Sequence, residues 1–431
     1  MRNFVIGVLL VIAALGAKTQ DTLRVLHYNL LYYGINVSGC NSTNNNVDLK
    51  DQHLTTIINF TRPDIFTVNE LGRGPSTNPT ANATRILNNV LNTQGRTHFS
   101  AAGYTNVRGS DIVNMLYYNH LKFTLHSQDV VTSITRDINL YRLYINNLPR
   151  LAQGDTTFVI AIVAHFKAGS TNDDLLRRAD EAAAVMAYID SRNIRGNVMF
   201  LADFNMKNAF EQAFQTLTQY HTAVYRFIDP IEVPGNWFNN PDVAQYHTQS
   251  TRISSNSCFI SGGLDDRFDM ILLSRALLQG DQGLIYRQGS FRVIGQDGIR
   301  LNGELITPTN NSAPAGVIHA LYNMSDHLPV ELQLITRPVA LSDGLSKIPV
   351  PDLQISNPVR NYLHLRSSLH AHNARLSVFS LQGMLLLAVD GVNIAYGDNH
   401  FREVSLLNPG MYIIRIEIPG VAPVSLKFVK L

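Results

Sequence analysis

The sequence predicts an α/β domain over residues 21–336, a linker over 337–352 and a small all-β module over 353–431. Three observations carry this division. In the first part, short apolar runs alternate with segments whose apolar residues recur at helical spacing. The stretch "PVALSDGLSKIPVPDL" then carries repeated proline and little pattern, which marks a break. Beyond it only alternating runs separated by turn residues remain.

The elements follow in order. Residues 1–20 join Arg2 to an apolar run from Phe4 to Leu15 and then to the small residues Gly16 and Ala17. That pattern predicts a secretory leader cut near Ala17 to Gln20. A core strand is the weaker reading, because no turn or amphipathic pattern interrupts the run. No later run approaches the roughly 20 apolar residues of a spanning helix. The mature chain is therefore expected to be soluble and exported, either secreted or held at the cell surface.

"DTLRVLHYN" alternates Leu23 and Val25 with polar residues and reads as a strand ending on Asn29. "VDLKDQHLTTIINFTRPD" spaces Leu49, Leu54, Ile57 and Ile58 as a helix, closed by Pro63. "DIFTVNE" is a second strand, ending on Glu70, and "ATRILNNVLN" a short helix. "DIVNMLYYN", "INLYRLYINNL" and "TTFVIAIVAHF" are strand-like, the last stopping at His165. "STNDDLLRRADEAAAVMAYIDSRN" is the plainest helix, with Asn172 as its expected cap and Asp173 and Asp174 at its positive end. "VMFLAD", "RFDMILLS" and "DHLPVELQLI" complete the strands.

Composition permits a full core: 45% of the residues are hydrophobic and 16% charged. A net charge of +2 gives no strong overall field for nucleic acid, though a local basic cleft is compatible with it. The two cysteines, Cys40 and Cys258, are not a zinc signature. An oxidising compartment permits them to pair, and the sequence leaves that open. Glycosylation sequons at Asn36, Asn41, Asn59, Asn82, Asn310 and Asn323 read as a consequence of Asn-rich composition, since Asn59 and Asn323 fall in segments expected to be packed or functional.

The apolar strands stop on polar groups: Asn29, Glu70, His165, Asp203 with Asn205, and Asp269, while Asp326 and His327 directly precede the last. Any single ending is an ordinary turn or cap. Together they form a set of hard oxygen donors with two imidazoles, and open α/β sheets gather sites at strand ends. Oxygen donors suit Mg²⁺, Mn²⁺ or Ca²⁺. The absence of Cys pairs and of H-E-x-x-H argues against zinc. On an extended chain Asp203 and Asn205 point one way and Phe204 the other, so Phe204 is expected in the core.

The ordered series "LHYNLLYYG", "PDIFTVNELG", "VAHFKAGS", "FLADFN", "LDDRFDMIL" and "SDHLPVELQL" resembles the endonuclease/exonuclease/phosphatase superfamily. The resemblance implies the deoxyribonuclease-I-like fold, a two-sheet α/β sandwich with its site at one edge. It implies metal contacts at Glu70, Asn29 and Asp326, with Mg²⁺ as the first expectation. Asp203 and Asn205 would position the attacking water and the phosphate. His327 would be the catalytic histidine, Asp269 the carboxylate fixing its tautomer, and His165 a second histidine facing the phosphate. The chain departs from the family's common S-R-I-D at Asp266-Arg267-Phe268-Asp269, which adds a charge. Its "AHFKAGS", with Lys167 and Ser170, resembles secreted bacterial members more than DNA-repair members.

Two loops invite a role. "YHTQSTR" offers Arg252 to a phosphate, against an equally good reading as a solvated loop. "GNWFNNP" pairs Trp237 with Phe238, which suits contact with a membrane or a base, although plain packing is the stronger reading. The tail motifs "NPVRNYLHL", "LSVFSLQGMLL", "VSLLNPGMYIIRI" and "KFVKL" resemble the sorting domain of the type IX secretion system of Bacteroidetes. That implies a bacterial source, outer-membrane export and removal of the tail; a small carbohydrate-binding or adhesion module ranks second. The expected function is an extracellular metal-dependent phosphodiesterase, first a nuclease acting on nucleic acid. A sphingomyelinase-like enzyme acting on a phospholipid headgroup is second, and an inactive binding module on the same fold third. No stable protein partner is expected beyond the secretion machinery.

Overall fold

The computed structural model describes residues 21–147, 151, 155–336, 353–367, 370–381, 384–418 and 423–431. The expected leader and linker lie outside them. The chain divides into two compact units, Met1–Pro338 and Val339–Leu431.

The strands of the first unit are β1 (Thr22–Tyr33), β2 (Ile65–Gly72), β3 (Phe99–Ala101), β4 (Ile112–Asn119), β5 (Phe123–Thr132), β6 (Ile138–Ile145), β7 (Phe158–His165), β8 (Val198–Asp203), β9 (Phe227–Ile228), β10 (Asp269–Ser274), β11 (Leu284–Tyr286), β12 (Arg292–Val293) and β13 (Val330–Thr336). They form a seven-stranded sheet in the order β11-β13-β1-β2-β4-β3, with β12 also on β13, and a six-stranded sheet in the order β5-β6-β7-β8-β10-β9. The two sheets pack face to face over one apolar core that draws Leu26, Val68 and Leu116 from one and Val163, Leu201 and Ile271 from the other. Burying both faces of a strand requires a continuous apolar run, which is what "VMFLAD" and "FVIAIVAH" supply. The outer face of the second sheet is closed by helices Asn172–Ser191 and Gln212–Thr218 through Ala182, Val185, Met186 and Phe214. On the first sheet, helices Val47–Thr61 and Ala315–Met324 pack together. The fold class is thus the expected two-sheet α/β sandwich.

Side-chain caps account for the starts of the two longest helices described. Asn46 caps Val47–Thr61 by accepting from the N–H groups of Asp48 and Leu49. The long helix starts one residue earlier than expected. Thr171, not Asn172, is its cap, in a reciprocal box with Asp174. The sequence had both halves of that box, separated by the required spacing. β1 runs on past Asn29 to Tyr33, because Leu31 and Tyr32 take positive φ (46° and 47°) in a bulge that re-aims the strand and does not end it.

Among the described residues, the second unit contains only strands and one short 3₁₀ turn. A three-stranded sheet joins Leu353–Ile355, Leu363–Ser367 and Gly397–Phe401, and a four-stranded sheet joins Ala371–Ser380, Leu385–Ile394, Gly410–Glu417 and Val424–Lys430. Leu363, Leu365, Val378, Ile414, Ile416 and Phe428 form its core.

Candidate active site

Sheet register brings the polar strand ends together. β1 and β2 run parallel with Asn29 opposite Asn69, which places Glu70 one residue further along the same edge. β7 and β8 run parallel with His165 opposite Asp203, and β10 runs back against β8 with Asp269 opposite Asp203. β13 returns antiparallel to β1, so the residues before it, Asp326 and His327, arrive at the same edge. Parallel pairs therefore contribute their C-terminal ends and antiparallel partners their N-terminal ends.

The side chains form one buried network. Asn29 donates through Nδ2 to Glu70 Oε1 at 3.2 Å and to Asp203 Oδ2 at 2.9 Å. Its own Oδ1 accepts from the Leu31 N–H, a use of the bulge. Glu70 Oε2 accepts from the Tyr32 N–H at 3.1 Å. Asp203 Oδ1 accepts from the Asn205 N–H, and the Asp203 N–H reaches across the sandwich to Asn69 Oδ1 at 3.0 Å. Glu70 and Asn205 both hold φ of 52°, a region that costs a side chain free energy and that tends to mark functional positions. Phe204 is fully buried among Phe166 and Phe200, as the alternation requires.

The imidazoles differ in setting. His327 Nδ1 sits 2.7 Å from Asp269 Oδ2, and its Nε2 lies 2.7 Å from Gln249 Nε2 and 3.8 Å from Asp203 Oδ2. The Gln249 contact requires a lone pair on Nε2, which fits the tautomer carrying its hydrogen on Nδ1. Burial opposes a charge on His327, but the carboxylates of Asp269 and Asp203 outweigh it and raise its proton affinity well above the usual histidine range. His165 Nε2 lies 3.4 Å from Asp203 Oδ2 and 3.8 Å from Glu70 Oε1. Burial, helped by Arg136, lowers its pKa and keeps it neutral.

Acidic groups crowd this edge. Burial raises Glu70, with Asp326 adding repulsion, and pushes Asp203 up to about 7. Asp326 Oδ2 accepts from Gln249 Nε2 and from the Ile260 N–H, both at 3.2 Å, whereas Asp326 Oδ1 and Asp269 Oδ1 are buried without a hydrogen-bond partner. Buried ionised oxygens left unpaired are costly, and a hard cation satisfies them. Two ligand groups lie close enough for one ion: Glu70 with His165 and Asp203, and Asp203 with Asp269 and His327. The residues present thus fit a divalent cation. Glu70 belongs to the first group; Asn29 touches Glu70 and Asp203, and Asp326 acts on Glu70 through its charge.

A pocket of about 380 Å³ opens over Glu70, His165, Asp203, Asn205, Asp326 and His327. Residues not named as site candidates from the sequence complete it. Arg136 lines it from the β5–β6 turn and donates to the carbonyls of His165 and Phe166. Gln249 joins Asp326 to His327. The Cys40–Cys258 disulfide is formed, and Cys258 with Phe259 and Ile260 makes one wall. Beneath the bulge, buried Lys50 donates to the carbonyls of Leu30 and Leu31 at 2.7 and 2.6 Å.

Of the two loop candidates, "YHTQSTR" reaches the site through Gln249 and not through Arg252, and Trp237 lies away from it. Arg252 is not among the pocket's lining residues. Its guanidinium lies between the rings of Phe259 and Tyr322, 4.5 and 3.9 Å from their centroids, and donates to the Tyr322 carbonyl. Trp237 is fully buried against Phe214 and Arg267, so packing is its role, and only Phe238 is partly exposed. Asp266 is mostly buried, with its pKa pushed up to about 7 by that burial.

No protein-family model and no curated protein matches the chain. Among solved structures, it is similar to TDP2 of D. rerio complexed with a single-strand DNA product, at 12% identity over 73% of this chain and 99% of that one, with a TM-score of 0.44. An endonuclease/exonuclease/phosphatase family protein from Bacteroides thetaiotaomicron matches at 13% identity over 74% of this chain and 96% of that one, with a TM-score of 0.44. A mannosyl-6-phosphatase from the same organism matches at 13% identity over 72% and 99%, with a TM-score of 0.42. Likeness at this level carries no argument about activity, which has to come from the side chains of this chain.

Proposed function

We propose that this chain is an exported, divalent-metal-dependent phosphodiester hydrolase whose substrate is nucleic acid. The observation that supports it most is the joining of Asn29, Glu70, Asp203, His165, Asp326 and the His327–Asp269 pair at one sheet edge, beneath an open pocket. Glu70, with Asp203 and Asp326 near it, would hold the metal, which when bound supplies positive charge for the phosphate oxygens; Asn29, whose Nδ2 donates to Glu70 and Asp203, would position those carboxylates.

The remaining roles belong to side chains. Asp269 holds the Nδ1 hydrogen of His327, and Nε2, at the pocket, is the proton acceptor once the attacking water displaces the Gln249 contact. Asp203, 3.8 Å away, stabilises the imidazolium that results. Asp203 and Asn205 orient the attacking water and the phosphate. Neutral His165 and the cation of Arg136 face the charge that develops on phosphorus-bound oxygens. The leader-like N-terminus and the sorting-domain-like tail support export through the outer membrane. A lipid substrate is the less favoured one, because Trp237 offers no membrane contact.

Nicking of supercoiled plasmid by the purified chain tests this, with Mg²⁺, with Mn²⁺ and with chelator, beside His327→Ala. Metal-dependent nicking that disappears in the variant is expected. No nicking with any metal would remove DNA as the substrate, and RNA and phospholipid headgroups would be assayed next.

A further inference from the structure

Past the end of β8 the chain keeps sending every second side chain to the pocket, although the left-handed Asn205 breaks the extended backbone. Phe204 and Met206 are fully buried, while Asp203, Asn205 and Lys207 all line the pocket. The backbone of Lys207 is fixed: its N–H donates to Glu211 Oε1 at 2.9 Å, and its carbonyl accepts from Trp237 at 2.9 Å and Phe238 at 3.1 Å. Its ammonium is not fixed. It rests 3.9 Å from the centroid of the Phe238 ring and 4.0 Å from Asp266 Oδ1, beyond hydrogen-bond reach. Asp266 Oδ1 is itself buried without a hydrogen-bond partner. Arg136, the other Lys or Arg lining this pocket, is tied to two carbonyls.

A strand of nucleic acid presents a phosphate, then a base, then the next phosphate. The pocket offers the Asp203–Asn205 site and, beside it, the Lys207 cation, whose ammonium rests against the Phe238 ring just outside the lining. Phe238 is 37% exposed, so part of its ring remains open to a base. An ammonium on a flexible stem, loosely held by one distant carboxylate, gives up little when a phosphate replaces that partner.

Resting on the phosphodiesterase reading, we propose that Lys207 is a specificity-determining residue that takes the phosphate next to the scissile one, with Phe238 against the intervening base. It makes the enzyme prefer a polynucleotide over a diester with one phosphate.

The test compares the full-length chain with Lys207→Met and Lys207→Arg, in Mg²⁺, on two substrates. One is the p-nitrophenyl ester of thymidine 5′-phosphate, which has one phosphate; the other is a short single-stranded oligonucleotide. For Lys207→Met, kcat/KM on the oligonucleotide is expected to fall about tenfold more than on the ester. The slope of log kcat/KM against log salt for the oligonucleotide should become shallower by about 0.7, and Lys207→Arg should restore most of both. Equal losses on the two substrates would place Lys207 at the scissile phosphate and overturn the proposal, as would no loss on either. A wild-type chain that cleaves neither substrate would instead overturn the phosphodiesterase reading and this inference with it.

Discussion

His327 and Asp269 are joined by a 2.7 Å contact between Nδ1 and Oδ2, with Asp269 fully buried. The carboxylate does two things: it fixes the tautomer and it raises the affinity of the imidazole for a proton. Asp269→Asn should therefore lower kcat by roughly 10²–10⁴-fold. It should also move the acid limb of the pH–rate profile to lower pH, because a base acts only when unprotonated and the variant His327 loses its proton sooner. A pH–rate profile of the variant that keeps the wild-type midpoint would show that Asp269 does not act through His327. His327→Ala and the double variant should lose similar amounts, since the two side chains work as a unit.

Glu70 gives a prediction in stability. Burial and the nearby Asp326 both disfavour its charge, so the metal-free protein carries a strained acidic cluster. Glu70→Gln should leave the metal-free Tm unchanged or higher, while abolishing the rise in Tm that Mg²⁺ gives the wild type. Thermal unfolding with Mg²⁺ and with chelator checks this. An equal Mg²⁺-induced rise in both proteins would remove Glu70 from the metal site.

Lys50 predicts a pH dependence. Burial lowers its pKa from 10.5 to about 7. Between those values the unfolded chain binds a proton that the folded one does not, so stability rises with pH across that window. Below about pH 7 both states hold the proton and the cost of the buried charge is fully present. In Lys50→Met this rise should vanish, and urea unfolding at about pH 6.5 and about pH 9 measures it. The variant should also lose activity, because Lys50 holds the carbonyls of Leu30 and Leu31, next to Asn29 and the bulge.

The disulfide predicts redox sensitivity of the pocket wall. Cys258 lines the pocket, and two residues on, the Ile260 N–H holds Asp326 Oδ2. Replacing both cysteines with serine should lower stability by about 2–4 kcal/mol. Activity should fall as well, and reductant should do the same to the wild type but leave the double variant unaffected. Full activity after verified reduction would show that the wall stands without the bridge.

How much of this was legible in the sequence depends on where each signal resides. Asn29, Glu70, His165, Asp203, Asp269 and His327 were visible because each interrupts or adjoins an apolar run, and although one polar ending is an ordinary turn or cap, the set of them is not. Lys207 was not legible, because β8 ends at Asp203 and the left-handed Asn205 breaks the extended alternation before Lys207 is reached. Arg136 and Gln249 were not legible. They sit in irregular segments, and each earns its place by contacts with residues far along the chain. β5 was missed because "FTLHSQDVVT" is half-exposed and carries little apolar alternation. Helix Ala315–Met324 begins after Pro314 with no side-chain cap to announce it. Arg252 and Trp237 show the opposite failure: each became packing once Phe259, Tyr322 and Phe214 closed on it, while Gln249, three residues before Arg252 in the same polar cluster, reached the site.

The bond between Cys40 and Cys258 joins residues 218 apart, so most of the catalytic unit lies inside a closed covalent ring. Asn29 is outside that ring, Glu70, His165 and Asp203 are within it, and Asp326 and His327 follow it. Export, as proposed, would bring the chain into contact with proteases. A single cut in an exposed turn between the two cysteines would leave both fragments tethered, with the sheet order and the pocket able to survive it. Such a molecule would run as one band on a non-reducing gel and two on a reducing gel.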